Sequence, residues 1–224
     1  MRRQRTPIYE DPAQAERFDA QARRLQRQFW ETMAPDWDAQ QNGQGLQPQH
    51  VAEIAPWLGD DVLLIGAGRG LVLAALQAQG RRAVGVDWAE RMAAEGLRDG
   101  VTGIAVADAE ALPFADARFG TVLIASGVLM PTHSRPRLRA YLAEASRVLA
   151  PDGALLACLF HSAGLTQARL AAEGVRVPSH TVHAQRFWDL SGIAAVAADQ
   201  GLSEAGQRDW PDLCILRLLP VGNI

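Results

Sequence analysis

Lysine is absent from this chain: all 22 basic residues are arginine. There is therefore no ε-amino group for a Schiff base, no P-loop lysine, and no tyrosine–lysine pair of the short-chain dehydrogenase kind. Cysteine is scarce too. Cys158 and Cys214 each lie in an apolar, strand-like run rather than in a paired motif, which points to reduced, buried thiols and not to a metal site. No run of about 18 apolar residues exists to form a membrane helix. The basic start, MRRQRTPIYEDP, has no apolar stretch behind it, so no signal peptide is expected and the expected location is cytoplasmic. A formal charge of −3 lacks the clustered basic excess of a nucleic-acid surface, and Arg23, Arg24 and Arg27 read as one solvated helix face. What remains suits one globular domain with a sizeable core: 224 residues, 48% hydrophobic, with tryptophan over-represented at six.

The most informative stretch runs from Val62 to Asp87, VLLIGAGRGLVLAALQAQGRRAVGVD. Val62 to Ile65 is an unbroken apolar run, as expected of a parallel strand covered on both faces. Gly66, Gly68 and Gly70 follow at every second position, where the chain must turn sharply and let a ligand approach its backbone. A helix opens at Leu71 with its free N–H groups facing that turn, Gly80 stops it, and Ala83 to Val86 form a second strand ending in Asp87. A carboxylate there can accept both hydroxyls of a ribose. The dinucleotide fingerprint G-x-G-x-x-G would put its last glycine where this chain has Leu71. That spacing, with the missing lysine, disfavours a nicotinamide oxidoreductase.

The rest of the chain alternates in the α/β manner. A helix is expected from near Pro12 to the Trp30 region, with Phe18, Ala22, Leu25, Phe29 and Met33 as its packing stripe. A polar linker, Gln40–Gly45, and a short helix through Val51, Ile54 and Leu58 precede the first strand. Beyond Asp87 come a helix over Ala89–Arg98, a strand over Val101–Ala107, and Asp108 at that strand's carboxyl end, the edge where open α/β sheets bind ligands. Thr121–Ala125 is a fourth strand, followed by Ser126 to His133. Arg137–Leu149 is helical, Pro151–Gly153 a turn, and Ala154–Phe160 a fifth strand. The pattern weakens over 161–186, an expected lid-like insertion carrying His161, His180 and His183. A helix over Phe187–Gln200 and an antiparallel pair, Ser203–Trp210 with Leu213–Leu219, complete the chain.

Four motifs give the chain a family likeness. LLIGAGRG, VGVDWAERM, ADAEALPFADARFGTVLIASGVLM (Ala107–Met130) and RVLAPDGALL (Arg147–Leu156) occur in the order found in class I S-adenosylmethionine-dependent methyltransferases. The chain resembles in particular their small-molecule, menaquinone- and ubiquinone-type branch. That resemblance implies a Rossmann-like seven-stranded sheet in order 3-2-1-4-5-7-6, last strand antiparallel, with helices on both faces. It places S-adenosylmethionine against Gly66, Ala67, Gly68 and Gly70, with Asp87 on the ribose and Trp88 beside adenine. It also puts Asp108 and the Ala109 N–H on the adenine edge, and Ser126 at the methionine end. FWETMAPDWD, Phe29–Asp38, resembles the segment that folds over the cofactor in the quinone-type enzymes.

The domain reading is accordingly an N-terminal helical lid over 1–45 and a cofactor-binding domain over 46–224. Trp30, Met33, Trp37, His133 and His161 are the candidates for the acceptor pocket, with no metal and no assigned catalytic residue. The expected partner is a small-molecule acceptor, with no nucleic acid and no membrane. The family's first motif carries an acid two positions before the first glycine, where this chain has Leu64. Its loss implies either a weaker hold on the cofactor's methionine end or a transfer of that task to another polar group, and keeps open a protein that binds the cofactor without catalysis. A methyltransferase acting on RNA or protein is disfavoured by the charge and the lack of an appended binding domain.

Overall fold

The computed structural model describes residues 12–37, 45–129, 135–160, 190–211 and 213–222. It opens with α1 (Pro12–Met33), a 3₁₀ turn at Ala34–Asp36, α2 (Pro48–Glu53) and a second 3₁₀ turn at Ala55–Trp57. Then follow β1 (Asp61–Ile65), α3 (Leu71–Ala78), β2 (Arg82–Asp87), α4 (Glu90–Arg98), β3 (Ile104–Val106), β4 (Phe119–Ile124), α5 (Ser126–Leu129) and α6 (Arg135–Val148). The remaining elements are β5 (Leu149–Phe160), α7 (Leu190–Ala198), β6 (Leu202–Asp209) and β7 (Leu213–Pro220). The strands form one sheet in the order β3-β2-β1-β4-β5-β7-β6. β1 pairs in parallel with β2 and β4, and β7 runs antiparallel to both β5 and β6. The expected order and the antiparallel last strand are both present. No helix among the described residues is long and apolar enough to cross a membrane.

Side chains alternate across a strand, so the apolar run of β1 feeds two cores. Leu63 and Ile65 pack with Leu138, Leu142 and Ala145 of α6 and Ile193 and Val196 of α7. Val62 and Leu64 face the other way, onto Val51 and Ile54 near α2 and Leu73 and Leu76 of α3. The same alternation separates the cysteines. Cys214 lies opposite Leu159 and Cys158 opposite Ile215, so the two thiols fall on opposite faces of the sheet and belong to different cores. Neither forms a disulfide and both are buried, and burial pushes the Cys214 thiol up to about 11.

β3 and the start of β5 depart most from the sequence reading. β3 is confined to Ile104–Val106, because Val101 lies beneath Gly70 instead of in the ladder and Gly103 has a φ of 72°. Pro151–Gly153 is not a free turn but the irregular start of β5, where the register with β4 shifts between Phe119 and Thr121. The residues 161–186, the expected lid-like insertion, lie outside the described residues.

Packing under the glycine turn is tight enough to be tested. A Cβ added at Gly96 in α4 would stand 2.5 Å from the Arg69 carbonyl oxygen, a backbone atom. Gly96→Ala is therefore expected to cost about 1–3 kcal/mol of overpacking, lowering Tm by roughly 3–10 °C in a chain of this size. A thermal melt showing no loss would mean that α4 and the turn are not in contact.

Candidate functional site

The site begins with a buried carboxylate. Asp87 ends β2 and is 8% exposed. Its Oδ2 accepts the Gly68 N–H at 2.8 Å and its Oδ1 the Ala89 N–H at 2.9 Å, tying the glycine turn to the start of α4. The Trp88 N–H acts on the same carboxylate, and the acceptor capacity left over is what a ligand donor could use. Burial pushes the Asp87 carboxyl up to about 6 against the lowering effect of those N–H groups. The turn itself is drawn in by the Gly66 and Ala67 N–H groups, which donate to the Val86 carbonyl at 2.8 and 2.9 Å. Gly66 is glycine by necessity: its φ is 79°, and a Cβ there would meet Val128 Cγ2 at 2.3 Å.

The cleft opens at the carboxyl edge of β1, β2 and β4. Gly66, Ala67, Gly68, Asp87, Trp88, Asp108, Ala109 and Ser126 all line it. Gly70 does not: it opens α3 in a left-handed conformation, φ 88°, with Val101 packed beneath it. The loop carrying Asp108 is held from behind by Arg147, which donates to the carbonyls of Leu112 and Phe114 at 3.0 and 2.8 Å and bonds Glu144 and Asp116. Glu144 in turn accepts the Leu112 N–H at 2.8 Å. Leu64, where the family carries an acid, is 1% exposed; it lines the cleft but packs in the core with Val72 and Leu73.

α1 crosses this opening. Trp30 stands against Gly127 and Trp37 against Gly68, with ring centres 4.8 Å apart and edge to face. Glu31 accepts the Glu90 and Arg91 N–H groups at 2.9 and 2.8 Å, capping α4. Arg69, in the turn, reaches back to the Pro35 carbonyl at 2.8 Å and to Asp99. Arg23 bonds Asp108 and Glu110 and lies over the Trp88 ring. The expected packing stripe is corrected at Leu25, which is 44% exposed; the α1 residues lining the cleft are Gln26 and Trp30, and Arg23 borders an adjoining groove. The solvated face assigned to Arg23 is likewise corrected, because Arg23 is an ion-paired contact.

Of the acceptor-pocket candidates, Trp30 and Trp37 line the cleft, whereas Met33 packs in a small cluster with Ala34, Ala89 and Met92. His133 and His161 lie outside the described residues, as do His180 and His183. Sequence reading did not find Gln26, Leu46, Arg69, Val128 or Tyr141 on the cleft wall. Tyr141 and Leu46 carry only an apolar pattern, indistinguishable from core. Its burial pushes the Tyr141 phenol up to about 12, so it is a neutral hydroxyl at this wall.

The comparisons agree with this geometry. Residues 63–157 match a family model described as "Methyltransferase domain". Over 111 residues the chain is 36% identical to a demethylmenaquinone methyltransferase of Clavibacter sepedonicus, a match covering 48% of this chain and 44% of that protein, so it spans less than half the relative's length. The fold is shared with the magnesium protoporphyrin IX methyltransferase of Synechocystis PCC 6803 with bound SAH: TM-score 0.65, 19% identity, 88% of this chain and 99% of that one. It is shared too with an S-adenosylmethionine-dependent methyltransferase of Thermotoga maritima: TM-score 0.61, 17% identity, 84% and 97% covered. The glycine turn pinned to the acid of β2, in a sheet of this order, lies within the segment that matches the methyltransferase-domain model, so residues 63–157 are similar to a methyltransferase domain on the fold these enzymes share.

Proposed function

We propose that the chain transfers the methyl group of S-adenosylmethionine to a small, mostly apolar acceptor. The observation that carries this reading is the cleft between the Asp87-pinned turn and the aromatic cover of Trp30 and Trp37. Gly66, Ala67 and Gly68 would pass beneath the cofactor, Asp87 would take the ribose hydroxyls, Trp88 and Ala109 would flank adenine with Asp108 at its amino edge, and Ser126 would lie at the methionine end. Gly70 would support the turn from below. When bound, the cofactor supplies a methyl group already activated by its sulfonium, so the protein's work is alignment and exclusion of water.

Residues 1–45 would serve as a lid and 161–186 as a second covering segment, on the domain of residues 46–224. The acceptor class follows from the lid. Two indoles with few polar groups are the wall of a small-molecule pocket, not of a nucleic-acid surface. The likeness to a demethylmenaquinone methyltransferase is in keeping with an aromatic acceptor. The apolar Leu64 beneath the cleft favours a second reading, binding without turnover, and the two differ in whether label leaves the cofactor.

The ribose assignment has a pH signature. The Asp87 carboxyl sits near 6 when folded, above the ordinary 3.8. Its contribution to the stability of the cofactor-free fold is thus present below the unfolded value and lost as pH rises through about 6. Hydroxyl donors favour the ionised form, so S-adenosylhomocysteine affinity should fall toward about tenfold per unit below pH 6. Asp87→Ala should cost about 1–3 kcal/mol of binding. Calorimetry across this range gives both numbers; a flat profile, or an Asp87→Ala chain binding as tightly as the parent, contradicts the assignment.

Acceptor placement is tested by Trp30→Ala. With radiolabelled S-adenosylmethionine and a panel of hydroxylated aromatic and heterocyclic acceptors, the parent should transfer label. The variant should lose roughly tenfold or more in kcat/KM, about 1.4 kcal/mol or more of transition-state binding, while keeping its circular dichroism. Unchanged turnover removes α1 from the acceptor site.

A further inference from the structure

One side chain ties α1 to the loop after β3, and one of its partners, Asp108, belongs to the cleft. Arg23 donates from one guanidinium nitrogen to Asp108 and from the other to Glu110 Oε2, at 2.9 Å. Its central carbon lies 5.4 Å from the centre of the Trp88 ring. Glu110 is also paired with Arg137 at 3.2 Å, and its N–H donates to Asp108 Oδ1 at 3.0 Å, so the carboxylates are held as a unit. Beyond Arg23 lies an outer groove bounded by Arg24, Arg27 and Val106, and it shares Trp88, Ala107 and Asp108 with the cleft. Arg23 is thus part of the partition between the two spaces.

The two walls that Arg23 engages, an acceptor carboxylate and an aromatic face, are those assigned above to adenine. A guanidinium is flat, donates N–H bonds in its plane and stacks on aromatic rings. A 6-aminopurine offers an in-plane N–H donor and a π face of its own. With side-chain exposures of 25% for Arg23 and 39% for Asp108, the pair is partly solvated, the kind of contact that breaks readily.

We propose that Arg23 is a gate on the cofactor site: it occupies Asp108 and Trp88 in place of the adenine, and must release Asp108 before a 6-aminopurine binds, so that opening of α1 and admission of the cofactor are one event. Arg23 is on this account a positioning residue acting through Asp108. The proposal rests on the reading of the cleft as the S-adenosylmethionine site.

The test follows tryptophan fluorescence during rapid mixing of the full chain with S-adenosylhomocysteine. Two variants are used: Arg23→Ala, and Glu110→Gln, which weakens the clasp without touching Asp108. Both should associate about threefold to tenfold faster than the parent, and Arg23→Ala should also bind at least about threefold more tightly. The second ligand is S-inosylhomocysteine, whose 6-oxo group cannot donate to Asp108. Preference for the amino over the oxo ligand should widen in Arg23→Ala, whereas a merely looser helix would favour both ligands alike. Weaker binding by Arg23→Ala, unchanged association in both variants, or an equal gain for the two purines overturns the gate while leaving the site reading intact. A parent chain that binds no S-adenosylhomocysteine overturns the site reading and the gate together.

Discussion

The structure around the site depends on one carboxylate being kept out of water and bonded to backbone. Asp87 receives the Gly68 and Ala89 N–H groups, and without those bonds the turn after β1 and the start of α4 would have no common anchor. Its burial is a liability unless the carboxylate is hydrogen-bonded, which is why the turn folds back on it. The surrounding close approaches follow: Gly66 beneath Val128, Gly70 above Val101, Gly96 against the Arg69 carbonyl. Each lets the turn sit deep in the sheet edge, leaving a cleft with a floor of backbone and a wall of Trp88 and Asp108.

Closing that cleft falls to a helix whose inward face is partly polar. A helix lying over an apolar core can be held by burial alone, but α1 lies over a sheet edge whose groups include carboxylates, carbonyls and the N–H groups that open α4. It is accordingly held by Arg23 to two carboxylates, by Gln26 to the Gly127 carbonyl at 3.4 Å, and by Glu31 on the α4 N-terminus. The aromatic pair Trp30 and Trp37 provides the apolar share. Contacts of this kind exchange with water at little cost, in keeping with the proposed role of α1 as a cover.

This difference explains what the amino-acid sequence disclosed. β1, β2 and β4 were legible because strands buried on both faces leave continuous apolar runs, and the glycines and Asp87 were legible because a sharp turn requires glycine and the proposed ribose contact calls for an acid. The strand order came from family likeness, since periodicity carries no information on which strands adjoin. The face of α1 was misread for a physical reason: a packing stripe is sought among apolar residues, so Leu25 was placed inside and Arg23 outside, the reverse of what ion pairing at a binding edge produces. Tyr141 and Leu46 were missed because a cleft wall and a core share one apolar pattern. Pro151–Gly153 looked like a turn because its composition does not show that β4 will pair with it.

The central claim is that this edge holds S-adenosylmethionine. Thermal unfolding of the full chain with S-adenosylmethionine, S-adenosylhomocysteine, NAD and NADP tests it most directly, because a ligand that binds only the folded state stabilises it. At about a hundred times Kd the two adenosyl ligands should raise Tm by roughly 5–10 °C, and the dinucleotides should leave it unchanged. A rise with NAD or NADP and none with S-adenosylmethionine or S-adenosylhomocysteine would contradict the account.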